Sequence, residues 1–503
     1  MSVTDFPLLS LIILLPLFGA IVTSVIRNTG LAKLSALIFA TLELALTLLA
    51  LCLFDKTSGD FQLTEKLTWI PFLNIEYLLG VDGISILFLP LSALLTVTVI
   101  LASWNAISYN QRFHFALILA LQGITAGVFT ALDMILFFFF WELTLPPLFF
   151  LIGLWGIGSQ RRNAAMKYTL FMLAGGGPLL LAIVIMAANH ATQVGGNFPQ
   201  DLSFSLLALL ETPLPAEKQT LVFVLLLFGF AFKAPLFPFH TWLPTTAMEG
   251  PTHVIALLAG LKLGVYGILR FAMPLAPTAA VEFSWILSVF GAATLIYGGL
   301  IALQQTNLRR LLAYASISHV GMVIVGVASL NMQGVQGAIF QLLNFTLIAS
   351  SLMLIAGFIQ RRLGSTDTVH LGGLAKVMPK LTCFYFLFAL ASFGIPGTSG
   401  FPAELLMIIG ALTSHAVFGT AALAGAILGA TYMLTFTQRA FFGPVTHVTV
   451  SQAQDLKFRE FALLCVPALL ILLFGLFPGT ILSINQIASE TWLARFLSVP
   501  TVL

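Results

Sequence analysis

From Phe6 to Leu482 the sequence is a succession of apolar runs separated by short polar stretches. Each run is about 20 residues long, which as a helix matches the hydrocarbon thickness of a bilayer. Only 8% of the 503 residues are charged, against about 25% in a soluble globular protein, so water is not the main solvent of this chain. A lipid-facing barrel needs alternating strands of about ten residues, and these runs do not alternate. The fold class predicted is an all-α polytopic membrane protein. Fourteen spans are predicted, at residues 6–26, 31–54, 84–104, 114–131, 133–157, 167–188, 221–239, 252–273, 283–303, 310–330, 335–359, 381–412, 416–437 and 461–482.

Basic residues orient such a chain. With the loops numbered in order, odd loops hold fifteen of the 22 Lys and Arg residues, including Arg161, Arg162, Lys167, Arg361 and Arg362. Even loops and the C-terminal tail hold Lys56, Lys66, Lys218, Arg270 and Arg495. This bias predicts odd loops in the cytoplasm and both termini on the opposite side. The run Phe6–Ile26 follows Asp5 and lacks a basic n-region, so it reads as a retained helix. Segments 55–80 and 189–219 read as the larger loops, and Asn485–Leu497 as an amphipathic helix lying at a surface. No soluble domain and no basic tract for nucleic acid stand out. Cys52, Cys383 and Cys465 have no pairing, zinc or cluster spacing and read as small buried residues.

Two lysines fall inside apolar spans, Lys233 and Lys262, together with Glu142, Glu404 and Glu43. A charge at bilayer depth costs roughly 2.5–3.5 kcal/mol on insertion scales, so such a group normally faces a partner or a wet cavity. In "FFFFWELTLPPLFFLIGLWG" (Phe137–Gly156), Pro146 and Pro147 lack the N–H groups that the carbonyls of Glu142 and Leu143 would accept. In "FGFAFKAPLFPFHTWLP" (Phe228–Pro244), Pro235 and Pro238 free the carbonyls of Ala231 and Ala234 on either side of Lys233. "FGIPGTSGFPAELL" (Phe393–Leu406) packs three glycines and two prolines just before Glu404. Broken helices at mid-membrane build ion sites in transporters. The two breaks lie five spans apart, which predicts two five-helix halves of inverted orientation. Lys262 lies in "LAGLKLGVYG", read as a helix whose small residues admit close neighbours. His319 lies in "AYASISHVGM", where an imidazole can relay protons. Desolvation favours a neutral amine and a nearby carboxylate favours the charged one, so opening or closing a Lys–Glu pair moves a proton. Asp82, Asp133, His240 and His253 read as interfacial, the run Phe137–Phe140 as packing bulk, and Glu43 has no neighbouring motif.

Together, "WELTLPPLFFLIGLWG", "FKAPLFPFHTWLP", "LRRLLAYASISHVGM" and "PGTSGFPAELL" resemble one family, the antiporter-like M/NdhD chains of complex I. The resemblance covers nearly the whole chain. It implies fourteen helices with two inverted five-helix units and helices 7 and 12 broken. Its units would be residues 1–113 for the first three helices, 114–273 and 283–437 for the two units, and 438–503 for the last helix and tail. It places the family's proton-pathway glutamate on Glu142, its broken-helix lysine on Lys233, its central lysine on Lys262 and its exit-side residue on Glu404. "DFPLLSLIILLP", "GGLAKVMPK" and "SGFPAELL" look most like the cyanobacterial or plastid NdhD form, which implies a thylakoid membrane and plastoquinone. Two departures stand out. Thr245–Gly250 reads "TTAMEG" where the family has an Asp-Ala-His sequence, and Phe345 stands where a second relay histidine is usual. They point to a variant specialised for carbon dioxide uptake.

The function expected is proton translocation in an NAD(P)H- or ferredoxin-driven quinone oxidoreductase through Glu142, Lys233, Lys262, His319 and Glu404. No cofactor or metal is expected in this chain, and iron–sulfur clusters and (plasto)quinone are expected elsewhere in the complex. The expected partners are NdhF-like and NdhB-like antiporter chains, a peripheral redox arm and lipid, with no nucleic acid. The alternative is a subunit of an Mrp-type sodium/proton antiporter.

Overall fold

The structure is a computed structural model and describes residues 6–196, 201–445 and 447–497. Asp5, part of the 189–219 segment and the end of the tail lie outside the described residues. A helix falls on each predicted span. α1 (Leu8–Val25) and α2 (Thr29–Leu53) precede a hairpin, β1 (Gln62–Ile70) and β2 (Ile75–Val81), and then α3 (Phe88–Ser103) and α4 (Gln111–Thr130). Next come α5 (Met134–Leu143), α6 (Leu145–Trp155), α7 (Arg161–Gln193) and the short α8 (Leu206–Glu211). α9 (Ala216–Lys233), α10 (Trp242–Glu249), α11 (Thr252–Gly260) and α12 (Leu263–Gly267) follow. α13 (Met273–Leu275) and α14 (Pro277–Glu282) lead to α15 (Ser284–Leu303), α16 (Leu308–Ala328), α17 (Met332–Asn344) and α18 (Ser350–Leu363). The chain ends with α19 (Leu374–Val377), α20 (Pro379–Ser392), α21 (Gly400–Ser414), α22 (Ala416–Ala440), α23 (Val448–Ser451), α24 (Phe458–Leu476) and α25 (Gly479–Leu497). Among the described residues, eleven helices are long and apolar enough to cross a membrane, while α3, α20 and α21 are apolar but shorter.

In lipid every backbone group must be satisfied within the chain, which selects helices. Their starts are set by side-chain caps: Asn28 for α2, Asp133 for α5, Asn307 for α16 and Asn331 for α17 each accept from a first-turn N–H. Small residues let helices approach. A Cβ on Gly291 of α15 would stand 2.9 Å from the Gly321 carbonyl oxygen of α16. α7 packs on α9, α17 on α21, and α15 on both α16 and α22.

Several expectations change. Segment 55–80 is not merely a loop: β1 and β2 pair antiparallel, with Lys66 and Glu76 bridged at 2.8 Å. Glu65 of β1 accepts from Leu9 N at 2.6 Å and Ser10 N at 3.1 Å, a carboxylate on the positive end of α1. Asp82, read as interfacial, and Arg270, counted with the even loops, are partners in the structure. Both are buried and form a bidentate pair at 2.7 Å, and Arg270 sits within the eighth span. Asp133 is likewise buried, as the cap of α5. The C-terminal helix begins earlier than predicted and is docked, not laid on a surface. It buries Ile481, Asn485, Ala488, Trp492 and Phe496, and Trp492 Nε1 donates to Leu269 O at 2.8 Å. Cys52 and Cys383 are exposed, and Cys465 is half-buried, so the cysteines lie on outward helix faces and not in the core.

Candidate functional site

α9 ends at Lys233 because Pro235 cannot donate to its helical acceptor. The Ala231 carbonyl is taken instead by Leu236 N at 3.2 Å, and the Phe232 carbonyl by the Trp242 indole at 2.8 Å. The lysine reaches across to the junction of α5 and α6. Its Nζ donates to Trp141 O at 3.0 Å and to Thr144 Oγ1 at 2.9 Å, and stands 3.8 Å from the centre of the Trp141 ring. Pro146 and Pro147 do break the fifth span, at Thr144. The amine, however, takes the carbonyl of Trp141, not that of Glu142, and forms no ion pair with the Glu142 carboxylate. Glu142 Oε1 is buried without a hydrogen-bond partner and faces α7, where a Cβ on Gly176 would stand 3.1 Å from the carboxyl carbon.

Lys262 is not in a continuous helix. α11 ends at Gly260, α12 starts at Leu263, and Lys262 has φ −97° and ψ 56°. Thr346 Oγ1 donates to the freed Gly260 carbonyl at 3.2 Å. The buried amine donates to Ser316 Oγ at 2.7 Å and lies 4.9 Å from the centre of the Phe345 ring. Ser316 and His319 are three apart on α16 and so share a face. His319 Nδ1 stands 3.7 Å from Glu404 Oε1, and its Nε2 stands 3.4 Å from the Tyr432 hydroxyl. Glu404 is buried in the second turn of α21, after the break predicted at residues 393–399.

Two cavities of about 30 Å³ each lie beside some of these groups. One touches Thr144, Tyr168 and Lys233, and also Leu261 and Leu263, which flank Lys262. The other is lined by Ser316, His319, Gln341, Asn344, Phe345 and Ser392 among others. Each has room for a water molecule beside polar groups. Lys233 borders one cavity, Ser316 and His319 border the other, the Lys262 amine rests on Ser316, and Glu404 stands beside His319.

Residues 131–429 match the family model described as NADH:quinone oxidoreductase/Mrp antiporter, TM. The chain belongs to this family. It is an antiporter-type membrane subunit of the M kind. It is 37% identical over 486 residues to F(420)H(2) dehydrogenase subunit M of Methanosarcina mazei, covering 96% of this chain and 97% of that one. It is 34% identical over 502 residues to NADH-quinone oxidoreductase subunit M of Rickettsia prowazekii, covering 98% and 100%. Its fold superposes on a chain of respiratory complex I from Thermus thermophilus with a TM-score of 0.87 at 29% identity, covering 97% of this chain and 99% of that one.

Within this M-type subunit the structure brings four of the five sequence-predicted groups into close side-chain contacts: Lys233 against the Trp141–Thr144 turn, Lys262 on Ser316, and His319 beside Glu404. Glu142 stands apart from hydrogen-bond partners. Sequence reading missed the break at Lys262, which has no proline; Gly260 and Gly264 around the lysine were its only signal. It missed Ser316 and Thr144 as the hydroxyls that hold the two amines. His240 and His253, read as interfacial, are both buried within the protein. Glu43 is buried too and accepts from Gln122 Nε2 at 2.8 Å, in a cluster with Ser92 and Thr96.

Proposed function

We propose that this M-type subunit carries protons across the membrane inside a quinone oxidoreductase of the complex I kind, driven by redox energy released in other subunits. The observation that carries the reading is the pair of lysine amines, Lys233 and Lys262. Each is held in a backbone break by neutral oxygen acceptors, with no carboxylate as ion-pair partner and a water-sized cavity alongside. Such an amine can gain or lose a proton without breaking a salt bridge. In this scheme a shift of Lys233 between the Trp141 carbonyl and the Glu142 carboxylate changes the field at Lys262. Lys262 then exchanges a proton through Ser316 and cavity water, and His319 passes it to Glu404. Phe345 carries no proton, so water in the cavity beside it completes this path. The two five-helix units, residues 114–273 and 283–437, would each supply one broken helix to the line.

The decisive test is proton uptake by proteoliposomes holding the assembled complex, with Lys233→Ala compared with wild type. Pumping and coupled electron transfer are expected to fall together. Normal pumping in the variant would end the scheme.

Iron–sulfur clusters and quinone are assigned to other subunits. The thylakoid NdhD form, with NdhF-like and NdhB-like neighbours and plastoquinone, rests on the short stretches 5–16, Gly372–Lys380 and Ser399–Leu406, and its carbon dioxide function on Thr245–Gly250 and Phe345. The same footing holds for odd loops facing the cytoplasm. The second reading, an Mrp-type sodium/proton antiporter subunit, is favoured by the family model's scope and opposed by glutamate at position 404. Native mass spectrometry of the gently solubilised complex separates them. A peripheral redox arm supports the first reading, and antiporter chains alone support the second.

A further inference from the structure

His114 of α4 and His253 of α11 meet with their Nε2 atoms 3.0 Å apart. Both rings are buried, and the Trp155 ring packs edge-on against His114 at 4.8 Å. An Nε2-to-Nε2 hydrogen bond requires one ring to donate and the other to accept, so the neutral pair carries one proton between the rings. His114 Nδ1 is buried without a hydrogen-bond partner. A buried polar atom left open in this way calls for an explanation.

His253 also lines a cavity of about 90 Å³, with room for more than one water. Ala106, Ile157, Pro251 and Arg361 line it too, and they come from the loops or helix ends after the third, fifth, seventh and eleventh spans. The cavity therefore lies at the odd-loop end of the bundle. Its other wall is α18, through Leu354, Gly357 and Phe358. The same two helices continue inward. Ala259 of α11 and Leu352 and Met353 of α18 line the cavity that holds Ser316, the acceptor of the Lys262 amine. The six residues from His253 to Ala259 span about 9 Å of helix. The pair thus stands at the outer end of a seam whose inner end is the Lys262 site.

We propose that His114 and His253 form a proton-loading site, through which protons pass from the odd-loop face into the α11–α18 seam. This rests on the proton-translocation reading above. A proton arriving from the odd-loop face passes through cavity water to the pair, which then holds three protons on four ring nitrogens. The bond between the Nε2 atoms lets the added charge sit on either ring without heavy-atom movement, and the pair later returns the proton to water in the seam. The charged groups facing the site are Arg361 of α18, and behind it Arg362 together with Glu460 and Arg459 of α24. Apart from the histidines, α3, α6 and α11 present apolar or aromatic side chains and a hydroxyl to it.

The test uses the assembled complex in proteoliposomes, with proton uptake and electron transfer read together. His253→Gln and His114→Gln keep an amide for hydrogen bonding but bind no proton. Each is expected to slow pumping on the order of tenfold or more, while His253→Asp recovers part of the rate. Wild-type pumping in both Gln variants overturns the loading site. Ala106→Leu narrows the cavity and leaves both rings in place. It is expected to slow uptake even where a histidine variant fails to assemble, and an unchanged rate there also overturns the proposal. Lys233→Ala, run beside them, separates the two claims. If it pumps normally, the translocation reading itself has failed. If it is dead while the Gln variants pump normally, only the loading site has.

Discussion

The two broken helices differ in the sign of the group they present and in where the break falls. Lys233 is the last residue of α9 and so stands at a helix C-terminus, where carbonyl groups gather and the macrodipole is negative. Glu404 lies in the second turn of α21, just inside a helix N-terminus, where N–H groups gather and the macrodipole is positive. Each charge sits at the end of opposite sign. The surroundings follow. Lys233 has a seat of acceptors, the Trp141 carbonyl, the Thr144 hydroxyl and the face of the Trp141 ring. Glu404 Oε1 has no hydrogen-bond partner, only His319 Nδ1 at 3.7 Å. The first seat holds its group tightly, and the second leaves its group free to exchange a proton with a neighbour.

Charge reversal breaks this comparison most directly. Lys233→Glu would set a carboxylate among carbonyl oxygens at the negative end of α9. A buried carboxylate without a partner costs several kcal/mol, so the assembled complex is expected to be lost from membranes, as gel analysis of solubilised membranes would show. Glu404→Lys is expected to be milder. It opposes the α21 dipole, worth up to about 2 kcal/mol when partly buried, but it removes no hydrogen bond from Oε1. The complex should assemble and pump poorly. Equal loss of assembly in both variants would show that helix polarity does not set the two seats.

The glycines of the second break sharpen the point. Gly394 has φ +67° and Gly397 has φ +90°, values that a residue with a Cβ adopts at roughly 1–2 kcal/mol. A Cβ on Gly394 would also stand 2.7 Å from Glu404 Oε2, whereas among the described residues nothing but its own chain neighbours lies within 4 Å of one on Gly397. Gly394→Ala should therefore lower the thermal stability of the purified complex more than Gly397→Ala, and lower pumping as well. Equal effects would mean that the Gly394 contact does not position Glu404. At the first break the smaller matching change is Thr144→Val, which removes one acceptor from Lys233 for about 1–3 kcal/mol. It should slow pumping while leaving assembly intact, measured as proton uptake by proteoliposomes holding the complex.

Much of this architecture was legible in the sequence because its signals are local. Proline lacks an N–H wherever it stands, so the breaks near Lys233 and Glu404 could be read from Pro235, Pro238, Pro396 and Gly397. Apolar runs gave the helices in the same way. The break at Lys262 was silent. There the backbone departs from the helix without proline, held by Thr346 across an 86-residue separation. The Asp82–Arg270 pair joins residues 188 apart, and His114 meets His253 across 139. A lone histidine or arginine in an apolar run carries no mark of the partner that the fold will bring to it. Ser316 was visible only as one of several small polar residues near His319.

The smallest expected effect concerns the gap between the two halves of the line. Phe345 lies 4.9 Å from Lys262 Nζ and 6.3 Å, ring centre to ring centre, from His319. It thus occupies the space that a relaying side chain would need. Its face holds the amine by a cation–π contact worth about 0.5–2 kcal/mol, and the cavity beside it leaves room for water. If water already bridges the gap, Phe345→His adds a second route in parallel. Pumping should then change by no more than a few-fold, because the slow step lies elsewhere. Phe345→Ala should enlarge the wet space and also leave pumping nearly intact, although the amine loses its aromatic face. A large gain with histidine would show that Phe345 throttles the line. Loss of pumping with alanine would show that the ring, by fixing Lys262 on Ser316, is part of the seat itself, and the second half of the line would then be held as tightly as the first.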